Sequence, residues 1–206
     1  MRKLLSLYIS VFLLSCSQEK LPYYHTADFT PLWSGEQNFL VDTVHRVAPF
    51  EFKDQRRQIV NNETVDGKVY VANFFFTSCP SICPRMTNHL LKVQSAFAGR
   101  EDFMLLSHTV MPWADTVERL NEFAVLNDID HQIWRLVTGR QSEIYSMARQ
   151  SYFAEEVAGF NRDSTNFVHT EHCILIDRDG HLRGIYNGTL ELEIDRLIAD
   201  IKILLD

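Results

Sequence analysis

An α/β fold with a mixed central sheet and helices on both of its faces is the class this sequence predicts. Three observations carry it. Short β-branched and aromatic runs alternate with stretches of helical spacing. One run, Val69–Phe76, is almost free of charge, as a strand buried on both faces requires. The chain also closes with two apolar runs flanking Asp177-Arg178-Asp179-Gly180, a hairpin signature, before a last amphipathic helix.

The elements follow in order. Val47–Lys53 opens the domain, with Phe50 and Phe52 alternating as in a half-buried strand, and Arg57–Gly67 reads as a strand and turn around Asn61-Asn62 and Asp66-Gly67. Val69–Phe76 is the central strand. A helix runs on from it to about Phe97, and Pro84 confines its start to Ser81–Pro84, because proline is tolerated only in the first turn. Phe103–Ser107 is the next strand. Asp115 or Thr116 can cap a helix reaching Leu126, with Val117, Leu120, Phe123 and Ala124 at helical spacing. Trp134–Val137 is a strand, Gln141–Tyr152 a helix, Cys173–Ile176 and Leu182–Tyr186 the hairpin, and Ile194–Leu205 the final helix.

The 206 residues, 46% hydrophobic and 23% charged, suit one globular domain. A net charge of −7 with no Lys/Arg run argues against a nucleic-acid partner. The N-terminus reads as a targeting segment: Arg2-Lys3 precede the apolar run Leu4–Leu14, which is short of the ~20 residues that span a bilayer. It ends Leu13-Leu14-Ser15-Cys16, which resembles the bacterial lipobox. The expectation is a signal peptide over residues 1–16, a lipid on Cys16, a tether over 17–46 with room for an extended piece packed on the domain edge, and the domain over 47–206, held in the cell envelope outside the cytoplasm. An ordinary exported chain, or a short uncleaved anchor, with an incidental cysteine is the alternative. Either compartment permits disulfides.

The chemistry concentrates in Phe76-Thr77-Ser78-Cys79-Pro80-Ser81-Ile82-Cys83-Pro84. Both cysteines fall at a strand-to-helix turn, where free N–H groups and the helix dipole favour thiolate. A cysteine pair at the first such turn of a mixed sheet is the thioredoxin-like arrangement. The pair can exchange electrons as a disulfide or hold a soft ion such as Cu(I) or Zn(II), and two thiolates leave either ion short of ligands. The eight histidines are the natural third donors. His25 and His45 read as solvated, His131 and His181 as exposed turn residues, and His89 as lying on the wrong side of its helix. His108 ends a strand near the site and is a candidate for an outer role. His169 and His172 precede the last hairpin, and in an extended chain only one of them can face a given site. Cys173 reads as a buried small residue.

From about Pro49 to Leu205 the chain resembles the Sco/SenC family of copper-binding, thioredoxin-like proteins that serve cytochrome c oxidase assembly. Pro49-Phe50, Gly67-Lys68-Val69, the Phe76–Pro84 run, and His169-Thr170 ahead of Asp177 and Gly180 carry the likeness. The resemblance implies copper, as Cu(I) or Cu(II), on Cys79, Cys83 and His169. It also implies a redox role for the pair, a copper-site subunit of cytochrome c oxidase or another envelope copper protein as partner, and a thiol–disulfide reductant. One departure stands out. Where the family carries Asp-Pro-x-x-Asp-Thr, this chain has Met111-Pro112-Trp113-Ala114-Asp115-Thr116, so the first acid is a methionine and Asp115 is kept. Met111 and Met86 are soft residues whose simplest role is packing. The competing readings are a copper chaperone, an envelope thiol–disulfide oxidoreductase, and a peroxidase on the same fold suggested by Thr77 ahead of Cys79.

Overall fold

The computed structural model describes residues 21–35, 39–154 and 170–206. Cys16, with the expected signal peptide, and His169 lie outside the described residues. The strands are β1 (Tyr23–Tyr24), β2 (Pro31–Leu32), β3 (Glu51–Asp54), β4 (Ile59–Asn61), β5 (Val69–Phe75), β6 (Phe103–Thr109), β7 (Trp134–Thr138), β8 (His172–Ile176) and β9 (Leu182–Asn187). They form one sheet in the order β2-β1-β9-β8-β5-β6-β7-β3-β4. Strands β5, β6 and β7 are parallel, while β8 and β9 return antiparallel as the expected hairpin.

Every residue of β5 and β6 is buried, which is why these strands read as continuous apolar runs rather than alternating ones. Their two faces feed two cores. Val71, Phe75 and Leu105 pack with α2 (Ile82–Ala96), α3 (Val117–Leu126) and α5 (Glu191–Leu205). Tyr70, Ala72, Phe74 and Leu106 pack on the other face with α4 (Gln141–Ser146). The helix expected over Gln141–Tyr152 is helical throughout, but its last turn, Met147–Ser151, widens to π geometry and still buries Met147, Ala148 and Ser151. A short helix, α1 (Asn62–Val65), occupies the stretch expected as a turn, and Asn61 and Thr64 close a reciprocal capping box at its start.

The N-terminal stretch packs an extended piece on the domain edge. The sheet begins before residue 47: β1 and β2 lie within the stretch 17–46 expected as tether, and β1 extends the sheet beside β9 through Tyr24 and Leu182. Arg183 fixes this strap. It donates to the carbonyls of Leu21 (2.7 Å) and Pro22 (2.9 Å), pairs with Asp177, and stacks 3.8 Å over the Tyr23 ring. His45 and His181, expected at the surface, belong to the same strap. His181 is fully buried with Nδ1 against the His45 carbonyl at 3.0 Å, and the His45 ring meets the Ser151 carbonyl at 2.8 Å.

His108 also differs from its expected place. It pairs with Phe74 and so faces the α4 core, whereas Cys83 packs in the α2 core on the far side of the sheet. Its ring is stacked on Phe74 at 5.1 Å and enclosed by Phe50, Phe52 and Tyr152, with no hydrogen-bond partner for either nitrogen among the described residues. Burial pushes its pKa down to about 3. The unfolded imidazole protonates near its ordinary value, about 6.5, so below that pH the unfolded chain binds the extra proton. Stability from this residue is therefore complete above about pH 6.5 and is lost as pH falls towards 3. Urea unfolding of the wild type should show a loss of about 1 kcal/mol per pH unit between pH 6 and pH 4, and His108→Leu should remove most of that slope.

Candidate metal centre

The site grows out of the end of β5. Helix α2 begins at Ile82 with Pro84 in its first turn, as the proline requires. Its N-cap, Ser81, makes no side-chain capping bond. The first N–H groups of the helix point instead at the Cys79 sulfur, which accepts from the backbone of Cys83, Ser81 and Ile82 and from the Cys83 thiol. Partial burial works upward on the Cys79 pKa, but these donors outweigh it and the net shift is downward. Cys83, 4% exposed, behaves oppositely. Burial, then the neighbouring Cys79 sulfur and the Asp115 charge, push its thiol up to about 12 despite a backbone contact at Phe76 that acts the other way. Both are free thiols. The pair is thus asymmetric, with a half-exposed, acidified Cys79 in front of a buried Cys83.

The turn is clamped from the side by Asp115. This carboxylate is 1% exposed and accepts from the Thr77 N–H (3.1 Å), the Thr77 hydroxyl (2.6 Å) and the Thr109 hydroxyl (2.5 Å). Thr109 in turn accepts from the Met111 N–H at 3.0 Å, and Arg119 Nε donates to Thr77 Oγ1 at 3.2 Å. Met111 is half-buried, and its carbonyl accepts from the Ala114 and Asp115 N–H groups, so the residue in place of the family's first acid shapes the loop that delivers the second.

A polar relay lies beneath the pair. Trp134 Nε1 donates to Ser107 Oγ (2.8 Å), Ser107 to Asn73 Oδ1 (2.5 Å), and Asn73 Nδ2 to the Met86 sulfur (3.8 Å). Met86 is fully buried and its sulfur is already an acceptor, which fits packing rather than ligation. Gly188 closes the floor: a Cβ there would lie 2.8 Å from Cys173 Sγ and 2.9 Å from Met86 Cγ. The His89 ring holds this glycine's carbonyl at 2.9 Å. None of Asn73, Ser107, Thr109 and Gly188 carries a periodicity or motif that would mark it in the sequence.

No group of three His, Cys, Asp or Glu side chains capable of holding a metal occurs among the described residues. The two cysteines therefore stand there without a third ligand. Cys173 does not supply it, since it is fully buried within β8 with its thiol pushed up to about 12 by burial. His172 opens β8, with its N–H donating to Thr170 Oγ1 and its ring edge-on to Phe29 at 6.2 Å. Because β8 runs antiparallel to β5 and Cys173 pairs with Asn73, the chain at Thr170 enters the sheet at the end where β5 delivers Cys79.

The model of the SCO1/SenC family matches residues 41–206. A crystal structure of a SCO1/SenC family lipoprotein from Bacillus anthracis superposes with a TM-score of 0.69 at 27% identity, covering 79% of this chain and 96% of that one. The structure of BsSco, described as a member of the Sco family of cytochrome c oxidase assembly proteins and as having a disulfide switch, gives 0.65 at 33% identity over 77% of this chain and 92% of its own. Bradyrhizobium japonicum ScoI, solved with copper bound, shares the fold with a TM-score of 0.61 at 24% identity, over 77% and 99% of the two chains.

Two outcomes test the site's electrostatics. Limited alkylation with iodoacetamide at neutral pH should label Cys79 first and leave Cys83 and Cys173 largely unmodified; labelling of Cys83 ahead of Cys79 contradicts the asymmetry. Asp115→Asn should cost about 1–3 kcal/mol in urea unfolding, because an amide places donors against donors. It should also lower the Cys83 pKa in a thiolate absorbance titration.

Proposed function

The chain belongs to the SCO1/SenC family, and on that premise we propose that it is a membrane-anchored copper chaperone. Its copper ligands in this reading are Cys79, Cys83 and His169, and it supports assembly of the binuclear copper site of cytochrome c oxidase or of another envelope copper protein. The lipid is carried by Cys16; no helix among the described residues is long and apolar enough to cross a membrane. The observation that carries the reading is the cysteine pair itself. Two sulfurs with no described third ligand stand at the sheet end where Thr170 enters. His169 is one residue from Thr170, and adjacent Cα atoms are about 3.8 Å apart.

Copper here is cargo. Two thiolates and a neutral imidazole suit Cu(I) and also accommodate Cu(II). Binding must displace protons, above all that of Cys83, so affinity rises with pH and fails when the pair is oxidised. In an anaerobic titration of the reduced chain lacking residues 1–16, Cys79→Ser or Cys83→Ser should abolish stoichiometric Cu(I) and Cu(II) binding. His169→Ala should weaken it by at least about tenfold, the order of one ligand's contribution. Full stoichiometry and affinity in any one of the three variants would sink the proposal.

A second reading rests on the asymmetry of the pair. The Cys79 thiolate can attack a partner disulfide, forming a mixed disulfide and releasing one partner thiolate. Cys83 then loses its proton and attacks the Cys79 sulfur, releasing the second partner thiol and leaving Cys79–Cys83 oxidised, with two electrons passed to the partner. Thiol exchange needs no imidazole ligand, so partner reduction undiminished in His169→Ala favours this role.

A further inference from the structure

Much of the stretch expected as tether belongs to the described fold. The chain is tied down from Leu21, which is buried and whose carbonyl Arg183 holds at 2.7 Å, and a strap running through Val44 follows. If Cys16 carries a lipid, as proposed above, only residues 17–20 separate that lipid from the folded domain. Five peptide steps span at most about 18 Å. The domain therefore rides close to the headgroup layer, and one of its surfaces must face the bilayer.

We infer that this surface is the outer edge of the N-terminal strap, with Trp33 set in the interfacial layer of the membrane. The register of β1 and β2, Tyr23 with Leu32 and Tyr24 with Pro31, brings Trp33 beside Pro22, next to where the chain enters the fold. Trp33 is 46% exposed, and the same strap exposes Leu40 and Val41, while Phe39 packs on Tyr23 at 5.2 Å. Indole with one polar edge is the side chain best suited to the membrane–water boundary. The strap carries Asp28 and Asp42 and the chain is net acidic, so charge does not supply the attraction. The lipid provides affinity, and Trp33 provides orientation.

The direction of β1 gives the arrangement a consequence for the site. From Tyr24 back to Leu21 the chain climbs antiparallel to β9, from the Leu182 end towards Asn187 and Gly188, which border the cysteine helix through His89. The leash thus leaves the fold on the way to the end that carries Cys79.

The test uses the full chain, purified from membranes and reconstituted into phosphatidylcholine vesicles with brominated acyl chains, which quench nearby indoles. Mass spectrometry reports whether Cys16 carries the lipid. Trp134 is 2% exposed, leaving Trp33 and Trp113 as the accessible indoles. The expected result is bromolipid quenching in the wild type and in Trp113→Phe, lost in Trp33→Phe, with unchanged copper binding in all three. Quenching that persists in Trp33→Phe, or none at all in a chain whose mass shows the lipid, overturns the inference. An unmodified Cys16 overturns the anchor reading itself, and the inference with it, on a separate readout.

Discussion

An uncapped helix start governs the rest of this molecule. A helix leaves its first N–H groups without intrahelical partners, and α2 meets that need with a sulfur instead of an N-cap oxygen. The substitution has consequences in both directions. The donors acidify Cys79, and Cys79 in turn fixes the helix start, together with Pro84, which has no N–H to satisfy. A thiolate that caps a helix is bound to the backbone at one side and free at the other. It can be attacked or ligated without the helix unwinding.

The surrounding structure keeps that turn in place from three directions. Asp115 holds Thr77 by backbone and side chain, the Asn73–Ser107–Trp134 relay props Met86 from below, and Gly188 admits Cys173 and Met86 at a separation no side chain would allow. These contacts come from β5, β6, the loop after β6, β7, α2 and the loop after β9. The cysteine turn is therefore a property of the whole sheet, although its two sulfurs lie within five consecutive residues. Asp115 both positions and charges the site. It fixes the turn through Thr77 while its charge adds to the forces holding the proton on Cys83.

What was legible in the sequence follows the strength of local signals. The Val69–Phe76 run is a strand in any context, and Pro84 set the start of α2 to within a few residues. The closing hairpin was equally plain, because Asp177 and Gly180 make the turn through local bonds, with Gly180 at positive φ. Strands of two residues such as β1 and β2 have no period to read. The strap is held by Arg183, far away in sequence, so an extended piece on the domain edge could be expected but its residues could not be named. His108 was misplaced for a related reason: one residue of register decides which face a strand side chain takes, and Phe74 opposite it faces the α4 core. His181 sits in a turn as expected, yet the same strap covers it. The clamp was half visible, since Asp115 and Thr77 both stand in the family-like stretches but nothing local joined them to each other or to Thr109.

The proton on Cys83 bears on which ion the pair can take. Burial, with the Cys79 sulfur and the Asp115 charge beside it, holds the proton on Cys83, and a metal must displace that proton before it gains net affinity. Hard ions such as Mg2+ or Ca2+ gain too little from sulfur to do so, whereas a soft ion such as Cu(I) can. The same surroundings keep Cys83 protonated, and so a poor nucleophile, whenever copper is absent and the pair is reduced. On the copper reading the two sulfurs therefore have different parts. Cys83, deep and reluctant, discriminates among ions, while Cys79, acidified and half-exposed, is the side from which a partner ligand approaches and through which the ion leaves.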